Sequence, residues 1–87
     1  MKDELERYRD KVDEMDDAIM KALAERVKVC MAIGLVKKKR GLPVKNATRE
    51  NEVYGKVKAK SLECGLDPNQ VEAVFREIVN MCSVVQE

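Results

Sequence analysis

The chain has 87 residues, enough for one domain with a modest core. Hydrophobic residues make up 45% and charged residues 38%, so enough apolar surface exists to exclude a disordered chain. A net charge of +1 excludes a general attraction to nucleic acid or anionic membrane, and Tyr8, Tyr54 and Phe75 are too few aromatics for a base-stacking platform.

The first predicted element runs from about Asp3 to Arg40. Asp3 is a suitable N-cap, and Glu6 stands three residues on, as in a capping box. No proline interrupts the stretch, and Gly41 followed by Leu42-Pro43 stops it. Leu5, Tyr8, Val12, Met15, Ile19, Ala22, Val29, Ile33 and Val36 recur at heptad a and d spacing, with Arg26 in the column between Ile19 and Ile33. Acidic residues crowd the start and Lys37, Lys38, Lys39 and Arg40 close the end, an order that suits the helix macrodipole. The run from Lys38 to Arg40 reads most simply as a solvated helix end.

The second helix begins after Pro43-Val44-Lys45, with Asn46 as N-cap and Arg49 and Glu50 in the first turn. Its inner stripe is Val53, Val57, Ser61 and Cys64, and Gly65 closes it. The third helix has Asp67 as N-cap, Pro68 at N1 and Gln70 as the far member of a capping box. Val71, Val74, Phe75, Ile78, Val79, Cys82 and Val85 form one face, and Cys82 and Gln86 share a side at i, i+4 spacing. Residues 1–87 thus read as a single all-α domain of one very long and two shorter helices.

About 37 residues at 1.5 Å each give a first helix ~55 Å long. A compact domain of this length has a radius of gyration near ~12 Å, so much of the seam would face water in a lone chain. The pattern predicts an intertwined homodimer with the long helices packed together. The alternative is a break near Gly34 that folds the chain into a four-helix monomer.

Three cysteines, Cys30, Cys64 and Cys82, form an odd set without a CxxC pair. The expectation is neither a disulfide framework nor a zinc site. With no signal peptide or long apolar run, a reducing cytoplasm is the expected location. Histidine is absent, which removes the usual acid–base group at neutral pH.

Arg26 is the residue that asks for chemistry. A guanidinium in an apolar seam needs a partner, either a carboxylate such as Glu50 or Glu25 or an anionic ligand. Lys37 lies three turns further on and points nearly the same way, about 16 Å along the axis. Arg9 shares the heptad column of Lys37 but lies ~42 Å from it, too far to serve the same small ligand within one chain. In an antiparallel dimer, Arg9 of one chain could approach Arg26 of the other.

Taken in order, these elements resemble the small all-helical chorismate mutases of the AroQ class. The resemblance is carried by Arg9 with the V-D-E-M-D stretch, L-A-E-R ending at Arg26, I-G-x-x-K ending at Lys37, G-L-P-V, and N-A-T-R-E with Arg49 and Glu50. The last helix, ending F-R-E-I-V-N-M-C-S-V-V-Q at Gln86, extends it over almost the whole chain. The resemblance implies a Claisen rearrangement of chorismate to prephenate, in aromatic amino acid biosynthesis, with no cofactor and no metal. It implies that Arg26 and an Arg9 from the partner chain grip the substrate carboxylates. Lys37 and Gln86 would donate to the ether oxygen, Glu50 would hold the hydroxyl, and Arg49 would order the substrate. Asn46 and Cys82 stand where the family commonly has Asp and Ser, which implies weaker substrate binding. Other readings on the same scaffold are an isochorismate-pyruvate lyase and a non-catalytic helical dimerisation or regulatory module.

Overall fold

A computed structural model describes residues 3–87, which form three helices: α1 (Glu4–Arg40), α2 (Ala47–Glu63) and α3 (Pro68–Gln86). The predicted caps set the boundaries. The Asp3 side chain accepts from the Glu6 N–H at 2.8 Å, and the Asn46 side chain from the Arg49 N–H at 3.0 Å. Asp67 accepts from the N–H groups of Asn69 and Gln70 at 2.8 and 3.0 Å, with Pro68 at the first helical position. Each bond satisfies donors that a helix start leaves without an intrahelical acceptor.

The end of α1 is a Schellman turn. Gly41 takes a left-handed φ of 65°, the Leu42 N–H reaches the Lys37 carbonyl at 2.8 Å, and the Gly41 N–H reaches the Lys38 carbonyl at 3.3 Å. α1 passes through Gly34 unbroken, which removes the four-helix alternative.

Helices α1 and α2 each pack on α3 and not on each other. Among the described residues the buried positions are few: Cys30, Tyr54, Ser61 and Val79. α1 meets α3 through Leu23, Val27, Cys30, Gly34 and Lys37, all partly or fully buried. This stripe lies one residue on from the heptad column through Ala22, Arg26, Val29, Ile33 and Val36. In the single chain Leu5, Tyr8, Val12, Met15, Ile19, Val29, Ile33 and Val36 are between 42% and 62% exposed. The radius of gyration is 16.5 Å and the extents are 59 × 25 × 15 Å, well beyond a compact domain of this length. Among the described residues no helix is long and apolar enough to cross a membrane.

The α2–α3 contact has a charged outer edge. Lys58 of α2 pairs with Glu72 of α3 at 2.7 Å, and Arg76, one turn beyond Glu72, pairs with it at 3.3 Å. The hydrogen bond from Lys58 is the largest influence holding the Glu72 carboxyl below its ordinary value. The Arg76 guanidinium also lies over the buried Tyr54 ring, 4.4 Å from its centre. Two expectations about packing are corrected here. Cys64 is exposed at the C-cap of α2 and leaves its inner stripe, and Tyr54 takes the buried place instead. Val74 and Val85 of α3 stay exposed, because α3 meets its neighbours on a narrower face than the sequence pattern drew.

The expectation of no disulfide is also corrected. Cys30 of α1 and Cys82 of α3 are joined, with Cα atoms 5.3 Å apart and a sequence separation of 52. The pairing follows from the packing: both cysteines sit on the stripes where α1 and α3 meet. Closing a loop of this length restricts the unfolded chain and is worth about 2–4 kcal/mol. Air-oxidised native protein should therefore expose one titratable thiol, Cys64, and added reductant should lower its melting temperature. Three reactive thiols before reduction, or an unchanged melting curve after it, would contradict the bridge.

Candidate functional site

Because α1 and α2 lean on α3 without touching each other, a cleft opens between them. It has a volume of about 400 Å³, within the range of small-molecule sites. Its floor is the C-terminal half of α3, with Val79, Cys82, Ser83 and Gln86. One wall is α1, from Arg26 to Lys37. The other is the α1–α2 loop and the first turns of α2, with Val44, Lys45, Asn46, Arg49, Glu50 and Val53.

Seven of the residues expected at a site come together here: Arg26, Lys37, Asn46, Arg49, Glu50, Cys82 and Gln86. Arg9 does not. It lies on the exposed N-terminal half of α1, about 25 Å along the axis from Arg26. Cys30, Ser83, Val44, Lys45 and the apolar patch of Val29, Ile33, Val53 and Val79 complete the lining; none was expected as a site residue, and the four of the patch were read from the sequence only as apolar stripe positions. Lys45 carried one usable signal, its place just before the N-cap of α2.

The charge of the cleft is strongly one-sided. Arg26, Lys37, Lys45 and Arg49 face a single carboxylate, Glu50. The first turn of α2 adds the positive end of its macrodipole to the same space. Arg26 is half-buried and forms no ion pair among the described residues; its Nη1 donates only to Cys30 Sγ, at 3.7 Å. Glu25, one candidate partner, pairs with Lys28 at 3.2 Å. A half-buried guanidinium with apolar neighbours and no carboxylate is suited to a planar anion such as a substrate carboxylate.

Lys37 is the most constrained cation. Its Nζ donates to the Val44 carbonyl of the loop and to Gln86 Oε1 at 2.8 Å. An ammonium has three N–H bonds, so one remains for a ligand. Gln86 is turned by this contact. With its oxygen on Lys37, its Nε2 donates one N–H to Cys82 Sγ at 3.0 Å and keeps a second. Two neighbouring side chains on different helices thus each keep a spare N–H at the lining of the cleft. Asn46 uses its side-chain oxygen to cap α2 and has its amide N–H groups left to offer. Cys82 has no S–H in the disulfide and only accepts.

The full length of the chain aligns with chorismate mutase from Methanocaldococcus jannaschii at 26% identity over 87 residues, 88% of that protein. A bifunctional chorismate mutase/prephenate dehydratase from Aquifex aeolicus is 32% identical over 83 residues. That match covers 92% of this chain and 23% of the Aquifex protein, so the chain spans under a quarter of that longer relative. Among solved structures, a conserved hypothetical protein from Pyrococcus furiosus superposes with a TM-score of 0.79 at 25% identity, covering all of both chains. Residues 8–87 match the chorismate mutase type II family, and the chain belongs to that family.

Proposed function

We propose that this chain rearranges chorismate to prephenate, and that it does so as an intertwined homodimer. The observation that carries the reading is the Lys37–Gln86 pair, set beside Arg26 in a cleft where four cations face one carboxylate. Chorismate carries two carboxylates, a ring hydroxyl and an enolpyruvyl ether. Within one cyclic step the ether C–O bond breaks and a C–C bond forms; no atom enters or leaves. Such a step needs neither a nucleophile nor a proton shuttle, and a chain without histidine can supply what it does need.

One need is conformational. The flexible side chain must be held folded over the ring, and fixing reactants in a near-attack geometry is worth several kcal/mol. Arg26 and Arg49, with Lys45 nearby, are the carboxylate anchors in this reading, and Glu50 and Asn46 receive the ring hydroxyl. The other need is electrostatic. Negative charge grows on the ether oxygen as its bond to the ring lengthens, and the spare N–H groups of Lys37 and Gln86 are the donors aimed at it. A donor of this kind contributes roughly 3–4 kcal/mol to the transition state.

The dimer rests on α1. Its apolar column is exposed over nearly its whole length, and Arg9 stands on the part that extends past α3. A second α1 laid against the column would cover it and carry the partner's Arg9 to the open side of the cleft.

Adding chorismate to the protein should give prephenate, identified by its acid-catalysed conversion to phenylpyruvate. Release of pyruvate from isochorismate, supplied in its place, would instead identify a lyase, and a dimer inert to both would identify a binding module. Lys37→Ala should lower kcat by at least about 10²–10³-fold with helicity and dimer mass unchanged. Loss of helical content along with activity would remove that support.

The shared site has its own test. Arg9→Ala and Lys37→Ala chains, each nearly inactive, should recover about a quarter of wild-type activity when refolded together at equal amounts, because half the dimers then hold one intact site of two. No recovery, or a monomeric mass by light scattering, would refute the contribution of Arg9 across an interface.

A pH profile tests the ether donor. The Gln86 amide does not titrate, so kcat should stay flat from pH 5 to 8. Gln86→Glu should make activity rise toward acid, since a carboxyl donates only when protonated. A wild-type rate that collapses across this range would argue against Gln86 in the role.

A further inference from the structure

We propose that Gly34 is a positioning residue for Gln86, resting on the reading of Lys37 and Gln86 as the paired donors. Gly34 lies in mid-helix with helical backbone, where alanine is the better helix former and no left-handed turn calls for glycine. The need for glycine comes from α3. A Cβ at position 34 would lie 3.0 Å from Gln86 Cγ, 3.1 Å from its Cα and 3.2 Å from its Cβ. The bare backbone of α1 is therefore the seat of the last turn of α3.

The surroundings decide how a methyl group there would be accommodated. Cys30, Gly34 and Lys37 follow one another at i, i+4 and i, i+7 on α1, and Cys82 and Gln86 at i, i+4 on α3. One end of this joint is tied by the Cys30–Cys82 bridge. The other end is the hydrogen bond from Lys37 to Gln86. Gly34 sits between the two ties. With the bridge holding α3 one turn below, α3 cannot back away as a unit, and the displacement falls on Gln86 in its last turn. A shift of a few tenths of an ångström there turns or lengthens the Lys37 contact and moves the spare Nε2–H off the reacting oxygen. Gly55 offers the contrast: a Cβ at that position would meet nothing within 4 Å.

Gly34→Ala should retain helicity and lower kcat about 3–10-fold with KM changed less than twofold, the signature of an interaction made mainly in the transition state. Gly34→Val should lose about 10²-fold, since misplacement by about an ångström costs on that order. Gly55→Ala should keep kcat within about twofold while raising the melting temperature. In a Gln86→Ala background, Gly34→Ala should cost little more, because residues acting as a unit are not additive.

A spectroscopic arm separates this proposal from the functional reading. The Gln86 side-chain amide resonance should shift in Gly34→Ala and stay in place in Gly55→Ala. If the wild-type protein fails to convert chorismate but the resonance shifts as described, the functional reading falls and the positioning stands. If the wild type is active and Gly34→Ala leaves both kcat and the resonance unchanged, the positioning role is overturned. A full further loss on top of Gln86→Ala would overturn it as well, because the effect would then bypass Gln86.

Discussion

The geometry of the cleft depends on one ammonium group. Lys37 Nζ binds the Val44 carbonyl, which draws the chain in after α1, and Gln86 Oε1, which draws in the end of α3. α1 and α2 make no packing contact of their own, so their relation is set by α3 and by this link through the loop. The same lack of packing leaves the cleft between them open. A cation that holds three segments at the edge of a cavity is fixed in direction before any ligand arrives. Preorganised donors of this kind need little rearrangement when charge develops in front of them.

Much of the fold is legible in the sequence because helix ends are governed by local chemistry. Asp3, Gly41, Asn46 and the Asp67-Pro68 pair each act on backbone groups within a few residues, and each acts as its residue type requires. The clustering of Arg26, Lys37, Asn46, Arg49, Glu50, Cys82 and Gln86 in one cleft is legible only through a resemblance that runs over five ordered motifs and the last helix. Periodicity alone brought Arg26 and Lys37 to one side of the first helix and Cys82 and Gln86 to one side of the third, without bringing the two helices together.

What escaped the sequence reading is long-range. α1 carries two overlapping stripes one residue apart: the exposed column through Val29, Ile33 and Val36, and the inner one through Val27, Cys30, Gly34 and Lys37. A heptad pattern records that a face is apolar and not which neighbour it meets, so the stronger stripe hid the one that packs within the chain. The Cys30–Cys82 bridge was hidden for the same reason. Its two halves are 52 residues apart, and their facing positions follow only from how α1 lies on α3. Tyr54 lies off the apolar stripe of α2, and its burial follows from its place against α3, where Arg76 lies over the ring.

The small core and the charged cleft are connected by the same geometry. A chain that buries only a handful of side chains by itself, yet maintains an unbroken helix 37 residues long, leaves most of that helix's apolar surface in water. Shortening α1 from its N-terminus would remove the exposed Leu5, Tyr8, Val12, Met15 and Ile19 without disturbing α3, which packs only on the C-terminal half of α1. The extra length therefore has little to offer the single chain. It becomes intelligible if the N-terminal half of α1 belongs to another copy's structure, covering that copy's column and bringing Arg9 within reach of a cleft that lacks it. On that view the small hydrophobic core and the incomplete cleft of the single chain are the same deficit, and one contact between two copies of α1 would make up both.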